Sequence, residues 1–250
     1  MDQNFWTRFF KHKNPTLRAK HPPQPRPPLL STLLPNHCFL CQSLSPQTLC
    51  PACEQDLPLI TRCCRQCALP LEHSEVCGEC LKHPPVFDHS ICRYRYEGHV
   101  PALINLFKHQ NQWPLGRYLA QALALQLGGN TFQADALIPV PLHWRTQIHR
   151  GYNQAAIICQ ELTLTLDIPI VHAAHKTKPS PHQQGLSRKQ RLANHHRPFH
   201  IQGDISGMNV LLVDDVITTG ATVQTLSRAL KEAGAKAVNV CALARTPKNH

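Results

Sequence analysis

The chain has no uninterrupted apolar run of the ~18 residues that a membrane-spanning helix needs, so no membrane span is expected. Aromatic residues are scarce, at 6%. The platforms on which bases could stack reduce chiefly to Trp113, Trp144, Tyr152 and Phe199, so broad recognition of single strands by stacking is weakly written. There is no G-x-x-x-x-G-K-[ST] and no early G-x-G-x-x-G, which removes a Walker-type ATP loop and a dinucleotide fingerprint. Residues 1–30 carry Lys11, Lys13, Arg18 and Lys20 but no apolar core after them, so a secretory signal is not expected and a cytoplasmic setting is. The prolines from position 22 to 28 exclude helix and central strand there. Residues 1–34 read as a basic, proline-rich tail.

Acids are also few. There are 15 Asp and Glu against 26 Lys and Arg, a net charge of +11 with histidines neutral, which favours polyanionic partners such as nucleic acid or anionic lipid. The imbalance is steepest over residues 142–200, with eight Lys or Arg and two acids. A phosphorylated small molecule would need only a few of these charges.

Cysteine is abundant and localised. Nine of the twelve fall in residues 38–80, eight of them in four C-x-x-C pairs: Cys38/Cys41, Cys50/Cys53, Cys64/Cys67 and Cys77/Cys80. Two intervening residues let both thiolates reach one tetrahedral ion from a tight turn, and eight ligands suffice for two structural Zn2+ sites. Sequential pairing is favoured over interleaved pairing. Cys63 is a spare that could replace Cys64 as a ligand. A disulfide framework is the rival reading, and it needs an oxidising compartment. The segment has too little apolar mass for a core of its own, so its folding is expected to depend on metal. Cys92, Cys159 and Cys241 sit among apolar residues and read as core.

After Pro84 and Pro85 the composition changes, which places domain boundaries at 35–85 for the cysteine-rich module and 86–250 for the rest. Residues 91–96 alternate like a strand, and a helical segment follows Gly98 as far as Phe107. Leu115, Leu119, Ala122, Leu123 and Gln126 recur at helical spacing until Gly128 and Gly129. Strand is expected at 136–140, helix at 153–166 and a short strand at 168–172. Residues 176–185 have no periodicity and read as a mobile loop, with Ser187 capping a basic helix after it. Strand 209–213, a helix striped by Val223, Leu226, Leu230 and Ala233, and a last strand at 236–243 complete the pattern. Alternating strands and helices predict an α/β fold with a parallel sheet covered on both faces.

Residues 210–222, Val-Leu-Leu-Val-Asp-Asp-Val-Ile-Thr-Thr-Gly-Ala-Thr, carry the chemistry. A buried strand runs into Asp214 and Asp215, and the chain is expected to turn there so that both carboxylates face a ligand. Two carboxylates can accept from two ribose hydroxyls, directly or through a divalent ion and water. Val216, Ile217, Thr218, Thr219, Gly220 and Ala221 expose backbone N–H groups at a helix start, and Thr218, Thr219 and Thr222 add hydroxyls, which together suit a phosphate. Gly220 lets the backbone come close. The reading is a site for a sugar with a 5'-phosphate. Asn153 and Gln154 open a helix and could read a base edge, or Asn153 could simply cap it.

These residues match the phosphoribosyl-pyrophosphate (PRPP) signature of type I phosphoribosyltransferases. The whole pattern resembles the ComF/GntX-like proteins associated with DNA uptake and natural competence, which look like a double zinc ribbon fused to a phosphoribosyltransferase-like parallel sheet. The four C-x-x-C pairs carry the resemblance, with Tyr96, Glu97 and Gly98; Phe107 and Lys108; Ile138, Pro139, Val140, Pro141, Leu142 and His143; Arg150, Gly151, Tyr152, Asn153 and Gln154; and residues 184–191 with Asn194. It covers roughly residues 35–246.

The resemblance implies that Asp214 and Asp215 hold the ribose hydroxyls and that the loop from Val216 to Thr222 wraps the 5'-phosphate. It implies Mg2+-dependent displacement of pyrophosphate at ribose C1 by an unknown acceptor, with Lys108, Arg145, Arg150, Arg188 and Arg191 as candidates around the leaving group. Loop 176–185 stands where such enzymes carry a closing lid. Two other functions stay open beside the transferase: a non-catalytic factor for imported single-stranded DNA, and a scaffold that docks DNA-uptake or recombination proteins through the zinc module.

Overall fold

The computed structural model describes residues 37–128, 133–142, 151–176 and 198–248. Two short helices, α1 (Pro51–Gln55) and α2 (Gly78–Lys82), belong to the cysteine-rich segment. Then come β1 (His89–Arg95), α3 (Val100–His109), α4 (Trp113–Gly128), β2 (Ala136–Pro139), α5 (Gln154–Leu166), β3 (Ala174–Lys176), β4 (Phe199–Ile201), β5 (Asn209–Ile217), α6 (Ala221–Glu232) and β6 (Ala237–Arg245).

Four strands form a sheet in the order β1-β6-β5-β2, and every pairing is parallel. The two central strands are apolar almost throughout because both of their faces are covered. On one face Leu211, Val213 and Leu243 pack with Phe107, Leu119, Leu123, Ile158 and Leu162 from α3, α4 and α5. On the other, Val210, Leu212, Val238 and Val240 pack with Val223, Leu226 and Leu230 of α6. The alternation follows the two-residue period of a strand. Cys92, Cys159 and Cys241 are buried in these cores, as expected.

Two sequence expectations need adjustment. Residues 168–172 make a single bridge beside β2: Leu137 N donates to Pro169 O, and Val171 N donates to Leu137 O. Pro169 has no N–H with which to extend that ladder. The strand expected at 209–213 was to stop at Val213, but β5 continues through both aspartates to Ile217, in register with β6. A small antiparallel pair, β3 with β4, was not foreseen. Of the expected mobile loop, Lys176 ends β3; the rest of it and Ser187 lie outside the described residues.

The cysteine-rich segment does not stand apart from the sheet. Leu59 bridges Tyr94 on the outer edge of β1, with Ile60 N donating to Arg93 O and Arg95 N to Pro58 O. That edge is therefore covered. Cys38, Leu49 and Leu57 join the α3/α4 core, whereas Ala68, Ile60, Cys63 and Cys67 pack on the α6 side. The missing apolar mass of the ribbons is supplied by the sheet.

Candidate functional site

The metal sites assemble from local turns. Cys38, Cys41, Cys50 and Cys53 form one group, and Cys64, Cys67, Cys77 and Cys80 a second, with all four sulfurs of each within 4.8 Å of one another. The Cys41–Cys50 and Cys67–Cys77 sulfur distances are 3.7 and 3.6 Å. Those lengths are close to the ~3.8 Å edge of a tetrahedron with Zn–S bonds of ~2.3 Å, and far from an S–S bond. All twelve cysteines are free thiols, which removes the disulfide framework. The pairing is sequential. Cys63 stays out of both groups, and burial pushes its thiol up to about 11.

The thiols of each group do not titrate alike. A hydrogen bond from Cys67 is the main cause that brings Cys64 down to about 4, and Cys67 is driven up in return. Burial resists ionisation of Cys38, yet the backbone N–H groups of Cys41, Cys50 and Leu40 bring it down to about 6. Four clustered thiols that share protons in this way are suited to exchange them for one divalent cation. Each group fits structural zinc.

The acid pair lies near the carboxyl end of β5. Asp215 is buried and Asp214 partly so. Lys108, next to last in α3, places its Nζ 2.9 Å from Asp215 Oδ1. Asp214 Oδ1 accepts from the backbone N–H of Asp215 at 2.9 Å. Burial, followed by the charge of Asp215, pushes the Asp214 carboxyl up to about 7, against the pull of that N–H and of Lys108. The turn expected at the acids is not formed: β5 runs through both in register with β6, so their side chains leave opposite faces of the strand, and Lys108 is the described cation that pairs with Asp215.

The loop after β5 turns at Gly220, which has φ 83° and caps α6. A side chain would be strained there. Val216 and Ile217 are still strand and buried, whereas Thr218, Thr219, Ala221 and Thr222 are exposed. Thr219 Oγ1 accepts from Ala221 N at 3.3 Å. The start of a twelve-residue helix thereby faces outward a few residues beyond the acids, an arrangement able to receive an anionic group.

Asn153 and Gln154 are otherwise employed. Asn153 Oδ1 caps α5 through Ala155 N, and its Nδ2 donates to Val140 O, both at 3.0 Å. Gln154 is fully buried, and its Nε2 donates to Lys108 O at 3.4 Å. The capping alternative is the one the structure takes. Arg145, Arg150, Arg188 and Arg191, together with Trp144, lie outside the described residues. Sequence reasoning missed Arg245, a buried arginine behind the loop. A charged residue at the end of an otherwise apolar strand was the available signal.

A double zinc ribbon domain and a phosphoribosyltransferase-type sheet define the class of protein. Family models agree: the double zinc ribbon domain matches residues 29–81 and the phosphoribosyl transferase domain residues 149–250. Competence protein F of Haemophilus influenzae is 35% identical over 219 residues, covering 84% of this chain and 95% of that protein. DNA utilization protein YhgH of Escherichia coli is 30% identical over 223 residues, covering 85% and 98%. Among solved structures, the glutamine PRPP amidotransferase from B. subtilis complexed with ADP and GMP is 22% identical, with a TM-score of 0.38, over 50% of this chain and 25% of that one. The chain belongs to the competence protein F and DNA utilization protein family. None of the helices among the described residues is long and apolar enough to cross a membrane.

Proposed function

We propose that the protein binds PRPP, or another ribose bearing a 5'-phosphate, at the carboxyl end of β5, and that from PRPP it transfers the phosphoribosyl group to a nitrogen acceptor. The observation that carries the reading is the contiguity of Asp214 and Asp215 with the Gly220 turn at the start of α6. Asp214 and Asp215 accept from the ribose hydroxyls. The N–H groups and hydroxyls from Thr218 to Thr222 receive the 5'-phosphate; Val216 and Ile217, expected to share in this, are held in β5 instead. The bond from C1 to pyrophosphate breaks as the bond to the acceptor forms, and the acceptor loses a proton. Lys108, Arg150 and Arg188 balance the departing pyrophosphate. Mg2+ bound with PRPP would supply further charge stabilisation.

The same proposal divides the chain into residues 1–34, 35–85 and 86–250, supported by the change of composition near position 85. It sets the protein in a reducing compartment such as the cytoplasm, supported by twelve free thiols. It assigns the chain to the handling of imported DNA, supported by the names of its relatives; single-stranded DNA and DNA-uptake or recombination proteins are the partners that this role implies. The experiment is a calorimetric titration with PRPP and Mg2+ on the wild type and on Asp214→Asn/Asp215→Asn. Saturable, Mg2+-dependent binding that the double variant loses is expected. Equal binding by both proteins, or none by the wild type, would end this reading.

A further inference from the structure

Arg245 closes β6 with its side chain buried. A buried guanidinium needs fixed acceptors for its donors. Its Nε donates to the carbonyl of Cys67 at 3.0 Å. Its Nη1 donates to the carbonyl of Ile217 at 3.0 Å, to that of Thr218, and to that of Thr246 at 3.1 Å. Cys67 belongs to the second cysteine group. Ile217 and Thr218 lead into the loop that begins α6. One planar fork therefore joins a zinc knuckle to the candidate phosphate cradle.

The knuckle is anchored to the sheet at neighbouring carbonyls too. Ser90 Oγ donates to Gln66 O at 2.8 Å, and His89 Nδ1 lies 3.4 Å from Arg65 O. On the helix side, Gln224 in the first turn of α6 accepts from Val86 N at 3.0 Å. A cleft of about 210 Å³ between the two parts is lined by Cys67, Cys80, Thr219, Gly220, Gln224 and Arg245. The first cysteine group packs toward α3 and α4 instead.

The direction of these bonds matters. In a trans peptide the C=O and the following N–H point opposite ways. Drawing the Thr218 carbonyl toward Arg245 turns the Thr219 N–H away from it. The Ile217 carbonyl, held by Arg245 and by Thr246 N at 3.0 Å, does the same for the Thr218 N–H. A loop that presents N–H groups attracts an anion, and one that presents carbonyls repels it.

We infer that Arg245 is a positioning residue that couples the second zinc site, and not the first, to the 5'-phosphate cradle. The metal orders the knuckle, the Cys67 carbonyl fixes the guanidinium, and the guanidinium holds the loop peptides in their anion-binding orientation. The inference rests on the ribose-phosphate reading proposed above. Coupling is reciprocal, so ribose phosphate in the cradle must slow loss of the second zinc.

The test uses the zinc-loaded full chain and a chelator, with zinc release followed by a colorimetric indicator and ribose 5-phosphate as the probe. In the wild type the probe is expected to slow release of one of the two ions about fivefold or more and to leave the other unchanged. A Cys41→Ser variant, lacking a ligand of the first site, identifies the protected ion as the second. Arg245→Met keeps the aliphatic stem and removes the donors; it should abolish protection and weaken probe binding about tenfold. Arg245→Lys keeps the charge without the fork and should also lose most of the protection. Equal release of both ions with and without bound probe overturns the coupling, as does full protection in Arg245→Met or Arg245→Lys. The wild-type comparison stands alone if a variant does not fold. If the wild type binds no ribose 5-phosphate, the ribose-phosphate reading fails separately. Arg245→Met must then still speed release of one ion only, and release of both or neither at a changed rate overturns the link.

Discussion

Lys108 Nζ and Asp215 Oδ1 form an ion pair of 2.9 Å with only 18% and 13% of the two side chains exposed. The pair exists because α3 is fixed at its carboxyl end: Phe107 is fully buried, Tyr152 donates its hydroxyl to the Phe107 carbonyl, and Gln154 donates to that of Lys108. Removing one partner leaves a shielded charge uncompensated, which costs more than the intact pair contributes. Lys108→Met is expected to destabilise the protein by about 1–3 kcal/mol in denaturant unfolding. Lys108→Met/Asp215→Asn should recover much of that loss. A double variant no better than the single one would show that the lysine stem, rather than its charge, matters there.

Asp214 predicts a pH dependence. Its carboxyl is pushed up to about 7, chiefly by burial and then by Asp215, from an ordinary value near ~3.9. Between those values the folded chain keeps a proton that the unfolded chain has released. The associated stability is complete below pH ~4 and is lost as pH rises through about 7. Asp214→Asn has no such titration. Its stability relative to the wild type should therefore rise from pH 4 to pH 8, by about 1–2 kcal/mol once partial solvent screening is allowed for. Parallel stability profiles for the two proteins over that range would contradict the assignment.

The parts of the site that were legible are those whose chemistry is local in the chain. Four C-x-x-C pairs close on themselves through tight turns, and Asp214 to Gly220 is one strand end and one turn. The extent of β5 was not legible, because two carboxylates look like the end of a buried strand; pairing with β6 carries the strand past them to Ile217. The three-residue strands β3 and β4 are too short to show a period. The role of Arg245 was not legible for a different reason: its acceptor on Cys67 is 178 residues away in sequence. The commitment of Asn153 to Val140 and of Gln154 to Lys108 likewise depends on contacts that only the folded sheet creates.

Zinc removal should reach beyond the ribbons. Cys38, Leu49 and Leu57 share a core with Leu103 and Phe107, so a loosened first ribbon exposes the α3 face of the sheet. Protein stripped of zinc by chelation under reducing conditions is expected to melt at least about 10 °C lower than the loaded form. Zinc analysis on the same samples fixes the stoichiometry, with two ions per chain expected from the two cysteine groups. An unchanged melting curve in metal-free protein would show that the sheet does not rely on the ribbons.

Gly116 sets two opposing effects against each other. It lies inside α4, where alanine is favoured by ~1 kcal/mol on helix propensity. A Cβ there, however, would stand 2.2 Å from Phe107 Cε2, 2.5 Å from Cδ2 and 2.6 Å from Cζ. The Phe107 ring is fully buried and has no free space to enter. Overpacking of this kind costs about 1–3 kcal/mol, so the steric term wins and Gly116→Ala should be net destabilising by about 1 kcal/mol or more in denaturant unfolding. Displacement of Phe107 also moves Lys108 relative to Asp215, so PRPP affinity should fall with stability. Gly128→Ala is the control, since a Cβ there meets Leu166 at an ordinary 3.7 Å. If Gly116→Ala is as stable as Gly128→Ala, the close approach of α3 and α4 is not what holds Lys108 at the acid pair.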